Sequence, residues 1–386
     1  MTLILRTPKI GYNDTASIVK TLDTNYKTFK SFIISRSIDD VCGKFKIVIS
    51  RPQTIISPLR TGDTVDIILD GTQVMRGKIY ENILTGDAFS DDIIISGRDI
   101  TGDIVDSTVP DDSKVYSNGV SIFDIAGKIL GSMQLSDDIG IRNQTGGTII
   151  PFTDDEIVSC NVGYTVIKFL MKYCRKRQLF LNTDAFGRLV FFKADGVTTG
   201  NRIINLNVGI DNNVISYKVK YNISNRFGRY VCKTQDIGGW GDLTVDAVGG
   251  ASDPQITARR TLEFKMEEGG DSSEGADRAA EESNVRRARG FEYVVTVQGF
   301  KDKQFWGVNQ FVTVADDKAD VHGTFLVKAV EYRLDNILGR TTKLTITNKD
   351  AYTAQAAISL REAQESDAGS GWNNTVSDAL LLETQQ

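Results

Sequence analysis

Few side chains in this chain could do chemistry by themselves, and their spacing decides little. There is one histidine, His322, in a turn-like Asp-Val-His-Gly run. Any Ser-His or Cys-His nucleophile would depend on it alone. The cysteines Cys42, Cys160, Cys174 and Cys232 are scattered with no Cys-x-x-Cys pair, so reduced thiols are expected rather than a disulfide framework or a zinc site. Gly127-Lys128 lacks the upstream glycine and following hydroxyl of a phosphate-binding loop. Acidic pairs are plentiful: Asp39/Asp40, Asp91/Asp92, Asp111/Asp112, Asp137/Asp138, Asp154/Asp155/Glu156 and Asp316/Asp317. Two carboxyls facing one cleft would suit glycoside hydrolysis. These pairs fall in expected turns, where aspartate is favoured for bonding its own backbone. The basic group Arg286, Arg287 and Arg289 closes an expected helix and reads as helix-end solvation or a subunit contact. No catalytic, cofactor-binding or metal site follows from the residues.

The elements that would position these groups are mostly strands. Ile93–Ile95 opens a stretch, IIISGRDITGDIVDSTV, that reads as a buried strand broken at Gly97. Before it, 44–49, 64–69 and 74–80 have strand composition, with Asp70-Gly71 as a tight hairpin turn. After it the period turns helical. A helix over 121–130 places Ile122, Ile125, Ala126, Ile129 and Leu130 on one face, with Asn118 or Ser121 as cap. A second, 165–177, buries Val166, Phe169, Leu170 and Tyr173 and ends in Arg175, Lys176 and Arg177, where cations favour the helix dipole. A hairpin over 179–192 turns at Asp184 to Gly187. Strands resume over 214–232 and return at 291–297, 311–314, 324–332 and 342–347. Between them lie expected loops (238–254 and 267–277) and a helix, 274–289, with Ala276, Ala279, Ala280 and Ser283 on a flat face.

At 386 residues the chain holds several cores. A net charge of −5 argues against a general nucleic-acid binder. The N-terminal MTLILRTP is too short for a secretion signal, and no apolar run suits a membrane span. Assembly in a cytoplasm is expected.

The late strands repeat the early ones. Ile79 to Ile93 and Val330 to Leu344 are equally spaced, so that Val65 and Ile67 answer to Val312 and Val314, Asp70 to Asp317, Ile95 to Ile346 and Asp99 to Asp350. One gap of four residues in the Asp317 to Gly323 turn completes the register. A duplicated β-module with something between its copies is the expectation.

Several stretches together resemble the phage tail baseplate hub family, the Mu P-type hub proteins. GRDITGDIVDSTV is similar to its closing strand and Gly-Arg turn. VGYTVIKFLMKYCRKRQLFLNTDAFGRLVFFKA is similar to its helix-hairpin signature, and ADRAAEESNVRRARGFEYVVTVQGF to its Arg-rich helix and following strand. The resemblance covers about 90 to 350. Tyr164 stands where the family usually has an acidic residue, and Phe300 replaces a usual Trp. What the resemblance implies is a β-rich α+β, multi-domain chain with two similar small antiparallel β-barrels and an α/β insert between them. The domains would be a first barrel over 1–100, the insert over 101–210, a second barrel over 211–235 and 288–350, and a loop-rich insert with a helix over 236–287. A C-terminal tail, 351–386, would follow, with a flexible joint at Gly369-Ser370-Gly371 and a short helix carrying Val376, Ala379 and Leu380. The implied protein is a homotrimeric structural hub in the virion, a ring joining a three-fold spike to the six-fold tail tube and neighbouring baseplate proteins. It would bind no specific nucleic acid and enter no membrane. A tail-associated cell-wall glycosidase and a carbohydrate-binding module are the alternatives.

Overall fold

The computed structural model describes residues 3–7, 20–24, 29–50, 59–87, 91–116, 119–153, 158–161, 163–208, 211–234, 247–257, 259–266, 272–349 and 352. The expected tail helix and the Asp154/Asp155/Glu156 group lie outside them. The chain forms two compact units, Met1–Val219 with Tyr293–Thr347, and Lys220–Glu292 with Asn348–Gln386.

The first unit begins with β1 (Leu3–Thr7), β2 (Lys20–Thr24), β3 (Phe29–Ser37), β4 (Lys44–Ser50), β5 (Thr64–Leu69), β6 (Thr72–Gly86) and β7 (Asp91–Asp99). Alternation sets the buried face: Phe45, Ile47 and Ile49 on β4, Val65, Ile67 and Leu69 on β5, and Ile93 and Ile95 on β7 all point inward. Asp70 and Gly71 both take positive φ, so the expected two-residue hairpin turn is what joins β5 to β6. Strand β3, whose Phe-Lys-Ser-Phe-Ile-Ile run was not singled out as a strand in the sequence, pairs β4 antiparallel. Gly97 has a specific reason: a Cβ there would lie 2.1 Å from the Lys78 carbonyl oxygen and 2.7 Å from the Phe45 ring.

The insert follows as α1 (Gly102–Asp106), β8 (Val115–Tyr116), α2 (Ile122–Ser132), β9 (Ile141–Gln144), β10 (Val158–Ser159), α3 (Val166–Lys176), β11 (Phe180–Thr183) and β12 (Leu189–Phe192). Ser121 caps α2 in a reciprocal box with Asp124, and the Thr165 hydroxyl accepts from the Lys168 N–H to cap α3. Every apolar position expected on the two helical faces is buried in one core. The 179–192 hairpin forms as β11 and β12, with β9 joining β12 in parallel. At the departure Tyr164, the ring carries Lys168 Nζ at 4.0 Å from its centroid. The basic end of α3 is tied locally: Arg177 stacks over Phe152 and donates to the Pro151 carbonyl.

β13 (Val197–Asn205) and β14 (Val214–Tyr221) come next. Within the second unit the chain builds β15 (Arg229–Thr234), β16 (Ala247–Ser252), β17 (Thr261–Lys265) and α4 (Ser272–Gly290). Here two expectations change. Ala247–Ser252 is a strand inside the segment expected to be loop, and α4 starts at Ser272, within the expected acidic loop. Strand β15 belongs to a small sheet of order β16-β15-β17. The flat helical face does pack closely: Ala279, Ala280 and Ser283 are buried, and a Cβ on Gly249 would meet the Ala276 amide nitrogen at 2.0 Å.

β18 (Phe291–Gln298), β19 (Gln310–Asp316), β20 (Val321–Asp335) and β21 (Gly339–Asn348) are the last described strands. Ile95 faces Ile47 across β7 and β4, as Ile346 faces Tyr293 across β21 and β18. Ile93 faces Ile49 as Leu344 faces Val295. The two modules share one plan. The expected placement of the four extra residues is corrected. Val314 faces Gly323, nine positions on, where Ile67 faces Met75, eight positions on. The turn grows from two residues to four, but a register shift after Ile67 takes one back, so the remaining excess enters further along β20.

The barrel expectation also changes. The strands run in one thirteen-stranded sheet of order β14-β18-β21-β20-β3-β4-β7-β6-β5-β1-β2, with β19 also on β20 and β13 on β19. No barrel closes among the described residues. The modules instead fuse where β3 pairs β20. A Gly97→Ala variant should lose about 2 kcal/mol or more of stability, because the carbonyl it meets is backbone and cannot turn aside. Thermal unfolding measures this, and an unchanged Tm would contradict the close approach.

Candidate functional site

Among the described residues, members of most acidic pairs go to separate structural partners. Lys328 Nζ lies 3.1 Å from Asp39, and Lys30 donates to Asp92 at 2.8 Å. Asp111 pairs with Lys114, while Asp112 accepts from Ser132. Asp137 and Asp138 sit in the turn after α2. Asp316 is buried, accepting from the Tyr293 hydroxyl, from Asn205 Nδ2 at 2.9 Å and from the Lys318 and Ala319 amides. Its neighbour Asp317 faces outward, 3.8 Å from His322 Nε2. All four cysteines are free, and burial pushes each thiol up, Cys42 to about 12. Raised thiols are poor nucleophiles at neutral pH. Arg286 is held by Glu282 at 2.7 Å and by the Asn225 carbonyl, over the Phe227 ring. No group of three or more metal-ligating side chains occurs among the described residues. No helix among them is long and apolar enough to cross a membrane.

The Gly97-Arg98-Asp99 turn builds a different kind of site. Asp99 is fully buried, receives Arg36 Nη2 at 2.6 Å on one oxygen and the Gly43 amide at 2.7 Å on the other. Arg36 also donates to the carbonyls of Thr183 and, at 3.1 Å, Asp184. The Thr183 hydroxyl donates to the Val41 carbonyl at 2.7 Å, and Asn182 Nδ2 to the Ser37 carbonyl at 2.6 Å. One carboxylate thus staples the β11–β12 hairpin of the insert to β3 and β7. Burial pushes the Asp99 carboxyl up to about 6, more than Arg36 and the Gly43 amide pull it down. A cleft of about 300 Å³ lies beside this staple, lined by Arg36, Cys42, Gly43, Glu331 and Lys343 among others. It sits along the β3–β20 joint and holds no activated nucleophile. Arg98 turns the other way, pairing with Asp106 over the Tyr80 ring.

Besides turn and loop residues such as Ile337 and Val208, some exposed apolar side chains lie on strands. β14 and β2 end the sheet. On β14, Ile215 and Tyr217 are each 42% exposed, and on β6 Leu84 is 57% exposed. An apolar strand at a sheet edge is a surface for pairing with another chain.

Residues 19–99 match the family of Mu phage baseplate assembly protein GpP-like, N-terminal. The match covers β2 to β7 of the first β-module. That module is similar to the Mu baseplate GpP-like N-terminal domain. Over 364 residues the chain is 24% identical to the baseplate hub protein gp44 of Escherichia phage Mu, covering 90% of this chain and 92% of that one. The fold is that of the 43 kDa tail protein of prophage MuSo2 from Shewanella oneidensis, with TM-score 0.76, 20% identity, and 92% and 100% of the two chains covered. A tail protein from Neisseria meningitidis MC58 gives the same TM-score at 19% identity over 92% and 98%. The resemblance to baseplate hub proteins is therefore real, and it includes the β-module ahead of the stretch where the sequence motifs lay. The sequence reading missed β3 and Arg36, the partner of Asp99. A lone arginine on an irregular strand carries no local signal of a buried ion pair.

The staple predicts a pH signature. The folded carboxyl titrates above its unfolded value, so the Asp99 contribution is greatest at acid pH and declines as pH rises through about 6. Stability of the native chain relative to Asp99→Asn should fall between pH 4 and 7, by at most ~3 kcal/mol. Paired melting curves across that range check the sign; a difference that rises with pH would contradict it.

Proposed function

We propose that this phage tail protein is a structural hub subunit of a contractile-tail baseplate. In this reading three copies form a ring with pseudo-six-fold symmetry between a three-fold spike and the six-fold tail tube. The observation that carries this is the repeated β-module. A three-fold object meets a six-fold one without mismatch only if each subunit offers two equivalent surfaces, and two modules of one plan supply them. The domain division expected from sequence belongs to the same proposal: barrel-like modules at 1–100 and 211–235 with 288–350, inserts at 101–210 and 236–287, and the tail 351–386. So do the virion location, assembly in the host cytoplasm, and spike, tube and baseplate neighbours as partners.

The glycosidase alternative needs two carboxyls sharing one cleft, and the separate partners of the acidic pairs speak for a structural role. The purified chain should therefore clear no peptidoglycan; clearing that disappears when one acidic pair is changed to Asn would overturn this. Light scattering on the chain, alone and with the neighbouring spike protein, should give three times 42.5 kDa for the hub component. A monomer under both conditions would contradict the ring.

A further inference from the structure

One cation of the second unit lacks a counterpart. At helical spacing Arg287 shares the face of α4 that carries Ala276, Ala280 and Ser283, the face packed on β15 and β16. Its side chain is half-buried, yet Nε and Nη2 are closed off from solvent and meet no acceptor among the described residues. One turn earlier, the fully buried Ser283 hydroxyl also makes no hydrogen bond. Nε and Nη2 form one edge of a guanidinium, the edge that grips a carboxylate from the side. Arg226 in the same unit uses that edge on Asp253, at 2.9 and 2.7 Å. Arg287 presents it empty. Charged donors left unpaired away from water are costly, so this edge calls for an acceptor.

Asp253, Glu281, Glu282 and Glu292 are each paired with another cation. The connections after Thr234 and Met266 leave the small sheet at the end where α4 starts and Gly249 packs on Ala276. Arg287 is at the other end, where Gly290 packs on Arg226. The chain itself returns to that end. Strand β21 pairs β18 antiparallel with Tyr293 opposite Ile346, and continuing this register sets Asn348 beside Phe291, the residue after α4. From there the chain belongs to the second unit, where Tyr352 is buried. The segment beyond carries Glu362, Glu365, Asp367, Asp378 and Glu383 against one base, Arg361. The ten residues from Tyr352 to Glu362 can span about 33 Å, more than the ~28 Å length of α4.

We infer that Arg287 takes a carboxylate from the acidic run 362–367 of its own chain, with Ser283 as a second donor. The C-terminal segment thereby docks on the end of α4. This stands apart from the hub reading and does not depend on it.

The test compares Arg287→Met in two full-length backgrounds, the native chain and one carrying Glu362→Gln, Glu365→Gln and Asp367→Asn. Removing one partner of a buried pair destabilises, whereas removing an unpaired buried charge does not. Arg287→Met should lower Tm by about 3 °C or more in the native chain, and leave it level or raised in the neutralised one. The neutralised chain alone should show a similar loss, which keeps the test decisive if Arg287→Met fails to fold. An unchanged Tm there, or an Arg287→Met effect of the same sign and size in both backgrounds, overturns the docking. Trypsin gives a second reading: cleavage after Arg361 should be about tenfold faster in Arg287→Met than in the native chain, and equal rates overturn the docking. If added phosphate rather than the tail acids decides the Arg287→Met effect, the ligand is a free oxyanion and the docking is likewise overturned.

Discussion

The β3–β20 ladder is the constraint on which the rest of the main unit depends. Phe32 to Ser37 runs against Ala329 to Leu334, joining strands almost three hundred residues apart in the chain. Its core side is apolar and closed: Phe300 lies 5.9 Å from both Phe32 and Tyr332, ring to ring, and the Tyr332 hydroxyl donates to the Trp306 carbonyl. Burying side chains of this size contributes about 1.5–3 kcal/mol each, more than the ladder's hydrogen bonds contribute net. The joint therefore holds the two modules in one fixed arrangement, so that together they act as one body. Phe300 fills the space between the two strands.

A second constraint fixes the insert. The Asp99 carboxylate is costly to bury and is held there by Arg36 and the Gly43 amide. Removing either partner would leave a charge alone in the core. Such a device contributes little net stability, but it permits one position of the β11–β12 hairpin on the first module and no other. The Gly-Arg-Asp turn serves this end three ways: Gly97 lets two backbones touch, Arg98 ties α1, and Asp99 ties the insert.

Strong local periodicity made much of this legible. Helices α2 and α3 and the β11–β12 hairpin follow from apolar spacing and caps alone, and the repeat was readable because buried positions alternate at matching intervals in both copies. Strand β3 was not, since its polar Lys30, Ser31, Ser35 and Arg36 dilute the pattern; tertiary pairing on both edges makes it a strand. Strand β16 is Ala-Val-Gly-Gly-Ala-Ser, a composition that signals loop, and becomes a strand because its glycines let α4 lie against it. The closed barrels implied by resemblance gave way to a fused open sheet for the same reason: which edge meets which is decided by contacts distant in sequence. The acidic pairs were expected in turns, but Asp91 and Asp92 lie in β7 and Asp316 in β19, where the partners of Asp92 and Asp316, Lys30 and Tyr293, come from distant strands.

The central claim is that the two β-modules are equivalent parts of one ring. A structure of the assembled protein tests it most directly. Superposing Val65 to Ile95 on Val312 to Ile346 within one subunit should require a rotation of about sixty degrees around the trimer axis, at a common radius, because two modules in each of three subunits divide the circle in six. Modules at unrelated radii, or related by a rotation far from that value, would contradict the account.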